Sequence, residues 1–128
     1  MDNMKLSDFL PYKNSSYFKK FNNIQITKNI TKEEVVIELQ KVMDPEIPVN
    51  LYDLGLIYNI QIDNLKNIKI DMTLTNPNCP VAGTMPESVG KAVEKIRNLS
   101  SVKVCLVWDP KWNKDMMSED AKLALDIF

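Results

Sequence analysis

The clearest pattern in the chain lies between residues 68 and 74, where Ile68, Ile70, Met72 and Leu74 alternate with Lys69, Asp71 and Thr73. A period of two predicts a strand with one buried face. A preceding strand is predicted over about 56–62, joined to it by a turn at Asp63–Asn67. A third is predicted over about 102–108, with Val102, Val104, Leu106 and Trp108 on one face and Cys105 on the other beside Lys103 and Val107; of the two tryptophans, Trp108 is expected to close the core. Elsewhere the period becomes helical. Val35, Leu39 and Val42, with Val36 and Met43 beside them, predict a helix over about 32–43, opened by Thr31 and Glu34 at capping-box spacing and stopped by Asp44-Pro45. Val89, Ala92, Val93 and Ile96 predict a second over about 85–98, with Thr84 and Glu87 repeating that spacing and Pro86 in the first turn. Ser118 caps a last short helix whose Ala121, Ala124, Leu125 and Phe128 turn inward.

The order helix, strand, strand, helix, strand, helix predicts an α+β, two-layer domain over residues 31–128. Residues 1–30 have aromatics without a sustained period and form an N-terminal arm, flexible or docked on a partner, with one short helix at most. The arm holds five lysines against two aspartates, a local excess of three positive charges that suits a solvated tail better than a docking arm.

Composition narrows the function. A chain of 128 residues with 45% hydrophobic residues can bury one core unaided. A net charge of −1 gives no overall footprint for nucleic acid. No apolar run reaches the roughly 18–20 residues of a membrane span, and no secretory block opens the chain, so the expected compartment is the cytoplasm. Histidine is absent, which removes Ser-His-Asp and Cys-His catalysis and every histidine-containing metal site within the chain. Two cysteines, Cys79 and Cys105, are too few for a disulfide framework.

Cys79 stands between Pro77 and Pro80, about five residues ahead of the second helix. Amides at a helix start favour thiolate, the form that is both nucleophile and soft metal ligand, against the ordinary role of a small buried cysteine. Cys105, in mid-strand, is expected to be a spacer or packing residue. Asp44, Glu46 and Asp53 gather in and after the first loop, where they suit acid–base or cation chemistry but equally a rigid turn. Trp108, Trp112, Met116 and Met117 could line a partner surface.

Five spaced motifs carry a family resemblance: Asp44-Pro45-Glu46-Ile47-Pro48-Val49, Asp53-Leu54-Gly55-Leu56-Ile57-Tyr58, Thr75 through Cys79-Pro80, Trp108-Asp109-Pro110 with Trp112, and Met117-Ser118-Glu119-Asp120-Ala121. In this order they resemble the SufT and PaaD type of iron–sulfur cluster assembly proteins, relatives of the targeting subunit of the eukaryotic cytosolic assembly machinery. Asn76 and Lys111 depart from the threonine and proline common there. The resemblance implies the same two-layer fold, Cys79 as the reactive cysteine, and Asp44, Glu46 and Thr75 bordering its pocket. It also implies partners, namely the assembly machinery and client apoproteins, with a homodimer as one way to hold cargo. An iron–sulfur cluster takes about four protein ligands, mostly thiolates. One well-placed sulfur per chain therefore implies transient rather than permanent cluster binding. The alternatives are an adaptor that never uses the cysteine for metal, an accessory factor for a multicomponent oxygenase, and a thiol enzyme using Asp44 or Glu46 as base.

Overall fold

The computed structural model describes residues 15–21, 29–45, 47–75, 84–96 and 99–125. Their elements, in chain order, are β1 (Ser15–Lys20), α1 (Lys32–Leu39), β2 (Ile57–Ile62), β3 (Asn67–Met72), α2 (Met85–Val93), β4 (Ser101–Leu106), a 3-10 turn (Lys114–Met116) and α3 (Glu119–Ala124). The strands form one sheet in the order β1-β4-β3-β2. β2 and β3 are an antiparallel hairpin, whereas β3 and β4 run parallel, which requires the α2 crossover between them.

The alternation in β3 becomes burial: Ile68, Ile70 and Met72 are fully enclosed while Lys69 and Asp71 are only partly so. Parallel register sets Ile68 beside Val102 and Ile70 beside Val104, so both strands present one apolar face to the helices. Val35 and Leu39 of α1 and Val89, Ala92 and Val93 of α2 cover that face. This is the two-layer α+β domain that the pattern predicts.

The structure departs from the pattern at several places, among them α2, which ends at Val93 rather than near 98 and lacks the expected Thr84 side-chain cap. Among the described residues the sheet has four strands rather than three, because Ser15–Lys20 of the arm pairs antiparallel with β4. Tyr17 of that strand lies against α2 at Gly90, and its hydroxyl donates to the Glu94 carboxylate. α1 ends at Leu39, four residues before the expected stop, because the chain tightens through a turn into the Met43–Asn50 bridge. Trp108 is 44% exposed, and Trp112 takes its place against the core, with Nε1 donating to the Leu54 carbonyl at 2.7 Å. In α3, Ala121 is buried but Ala124 is exposed, and Phe128 lies outside the described residues. Among the described residues, no helix is long and apolar enough to cross a membrane.

Candidate functional site

A bonded path joins the first loop to the end of β3. The Leu51 amide donates to the Val42 carbonyl at 2.9 Å, Leu56 to Leu51 at 3.2 Å, and Thr73 to Leu56 at 2.8 Å. The loop that carries Asp44 is thereby held beside the strand from which Thr75 emerges. Asp44 sits in the bend after α1; its amide donates to the Val49 carbonyl, and its Oδ1 accepts from the Ile47 amide at 2.7 Å. That carboxylate stiffens its own turn. Asp53 is committed similarly: Asn50 Oδ1 accepts from its amide, Asn50 Nδ2 donates to its Oδ2, and its carbonyl accepts from Ser118. Thr75 is half-buried just beyond β3. Glu46 and Cys79 lie outside the described residues.

The segment after β4 wraps this loop. Gly55, with φ +83, lies directly beneath the Met116 carbonyl, where a Cβ has no room. The Tyr58 hydroxyl donates to the Pro110 carbonyl at 2.6 Å and lies 3.5 Å from Met116 Sδ. Burial pushes its ionisation up, Thr73 opposes that, and the nearby Asp109 adds to it. Thr73 itself is buried, and its hydroxyl lies close enough to Tyr58 to oppose that shift. Leu54–Trp112, Gly55–Met116, Tyr58–Pro110, Asp53–Ser118 and Leu56–Thr73 thus gather three of the five motif regions, and the residue just beyond β3, around residues 53–58. Tyr58 and Thr73 were not singled out for a role from the sequence. The available signal was the outward alternation that puts Thr73 and Thr75 on one side of their strand.

Cys105 is set apart from this assembly. It is buried in β4, in register with Asp71. Burial pushes its thiol up; Lys103 and Lys69 oppose that shift, while Asp71 adds to it. Among the described residues, no group of three or more His, Cys, Asp or Glu side chains could hold a metal ion.

The profile of the family described as iron–sulfur cluster assembly protein matches residues 32–106, from the first residue of α1 to the last of β4. The chain belongs to that family. An iron–sulfur protein maturation auxiliary factor from Porphyromonas gingivalis is 50% identical over 95 residues, covering 74% of this chain and 90% of its own. The maturation auxiliary factor SufT of Staphylococcus aureus is 37% identical over 86 residues, covering 67% of this chain and 98% of its own. Among solved structures, a domain of unknown function from Bacillus anthracis superposes with a TM-score of 0.71 at 36% identity, covering 76% of this chain and 92% of its own. The iron–sulfur assembly family therefore accounts for the two-layer core, whereas β1 lies ahead of the matched residues.

Proposed function

We propose that this chain is a cytoplasmic maturation factor that carries an iron–sulfur cluster as transient cargo between the assembly machinery and client apoproteins, with Cys79 as its ligand. The observation that carries this reading is the 50% identity, over 90% of its length, to a protein named as an iron–sulfur maturation auxiliary factor. The convergence of three motif regions on residues 53–58, which bond through Leu56 to Thr73 just beyond β3, supports it. Asp44, Glu46 and Thr75 border the same site in this proposal. Their part is to shape the loop and to offer hydroxyl and carboxylate groups to the cargo.

The chemistry is ligand exchange rather than turnover. With no histidine, a thiol enzyme here would need a carboxylate base raised toward neutrality. A thiolate ligand needs only exposure and a polar setting. The cluster's remaining ligands come from outside the chain, from a second copy or a bound partner, and that shortage makes release to a client easy.

The test is anaerobic reconstitution with iron and sulfide. The wild type should develop the charge-transfer absorbance of a cluster, and Cys79→Ser should not. Equal absorbance in both proteins would remove Cys79 as the ligand. No cluster in either, with client maturation unimpaired by the substitution, would leave an adaptor.

A further inference from the structure

The interior strands β3 and β4 each have a strand on both sides, yet their outer faces are not covered alike. α1 and α2 reach the sheet on the face of Val102 and Val104, so Ser101, Lys103 and Cys105 point the other way. In β3, Lys69 and Asp71 share that outer face and keep 20% and 21% of their side chains exposed. In β4, Ser101, Lys103 and Cys105 are only 4%, 4% and 5% exposed. The two lysines make the comparison direct, because Lys69 and Lys103 are in register on adjacent interior strands. Strand neighbours alone would leave them equally open. Phe18, opposite Lys103 on edge strand β1, is itself half-buried. A cover therefore lies over β4 and toward β1, and it does not extend fully over β3.

Among the described residues, no helix supplies that cover. The segment after β4 turns toward β2 instead, where Tyr58 meets Pro110. Residues 22–28, 76–83 and 97–98 are each held at both ends, and each leads to or from a helix on the opposite face. Residues 1–14 are placed differently. They join the sheet at Ser15, in register with Cys105, and the register shift between Ser15 and Tyr17 bends β1 at that point. Fourteen residues span at most about 46–50 Å, more than twice the roughly 20 Å of β4. They include Met4, Leu6, Phe9 and Leu10. We propose that residues 1–14 fold back across the outer face of the sheet and cover β4 from Cys105 toward Ser101. Their apolar side chains pack on Cys105, Phe18 and the methylene stem of Lys103, whose ammonium end stays at the water boundary. The chain thereby closes the second face of its own sheet, independently of any cluster chemistry.

The test uses the full-length chain with Cys79→Ser, which leaves Cys105 as its one thiol. Leu6→Cys, Phe9→Cys and Tyr12→Cys are added one at a time. Glu33→Cys, exposed at the start of α1 on the opposite side of the sheet, is the control. Under mild oxidation, at least one of the three should form a disulfide with Cys105 within a single chain, at least tenfold faster than the control. Peptide mass spectrometry and non-reducing gels read the partner and the size. Separately, Phe9→Asp with Leu10→Asp should speed iodoacetamide modification of Cys105 at least tenfold while circular dichroism stays unchanged. Cross-links no faster than the control, cross-links that join two chains, or an unchanged Cys105 rate would each overturn the proposal, the second by assigning the cover to another copy.

Discussion

At Gly90 the ring of Tyr17 lies where a Cβ would stand, so the smallest side chain is what allows β1 to close on α2. The prediction is direct. Gly90→Ala should lose about 1–3 kcal/mol in urea unfolding, because overpacking outweighs alanine's better helix propensity. An unchanged midpoint would mean that Tyr17 moves aside at little cost. The cysteines make the second residue-scale contrast. Cys105 is enclosed in β4, and burial is the largest cause raising its thiol above the ordinary value. Its thiolate fraction at neutral pH is therefore small, and its reaction should quicken only as pH rises past that of a free cysteine. Cys79, proposed as the working thiol, should be alkylated by iodoacetamide at least tenfold faster at pH 7. Peptide mass spectrometry on the folded protein gives both rates. Equal rates would separate the proposed ligand from any special reactivity.

At the scale of elements, β1 is the strand whose attachment responds to pH. Burial first, and then the bond to Glu94, push the Tyr17 hydroxyl up to about 12. Unfolded, the same group ionises near 10. Its folded value is raised, so its contribution is complete below pH 10 and fades as pH climbs from 10 toward 12. The wild type should thus exceed Tyr17→Phe in stability at pH 9, and the difference should shrink through that window; a constant difference would show that the hydroxyl is not linked to folding. β1 was also the element least legible beforehand. Its Ser-Ser-Tyr-Phe-Lys-Lys has no alternation, because an edge strand is fixed by its neighbour's ladder rather than by two differentiated faces. β3 was legible because its two faces differ completely. Capping signals divided in the same way. Thr31 and Glu34 make the full box, whereas Thr84 already has helical angles and makes no side-chain capping bond. The spacing was identical; what differs is the backbone entry, which the sequence does not encode locally. The candidate site was legible as motifs only. That Asp44 and Asp53 serve their own turns, and that Tyr58 meets Pro110, depends on contacts between segments far apart in the chain.

For the molecule as a whole, residues 50–58 act as a hub on which separately encoded segments meet: α3 is pinned through Ser118 to Asp53, the segment after β4 through Trp112 and Pro110, and β3 through Thr73. Such a hub gives a rigid frame but supplies few soft ligands. The whole chain has two cysteines and no histidine. One of those cysteines is shut into β4, with its ionisation disfavoured by burial. The carboxylates of Asp44 and Asp53 each accept a bond close by in the chain, Asp44 from the Ile47 amide and Asp53 from the Asn50 side-chain amide. On the proposed reading, a cluster needing about four ligands finds one thiolate per chain, and oxygen or a chelator competes easily for the rest. Protein purified in air should accordingly carry well under one iron per chain by elemental analysis. Iron and sulfide restored anaerobically should be stripped by a chelator within minutes, far faster than from a protein that supplies four cysteines of its own. Association of two copies would leave the count at one such thiolate from each, so the expectation holds for monomer and dimer alike. Stoichiometric iron that survives air and chelator would overturn the carrier reading, and would require a ligand set that the described residues do not contain.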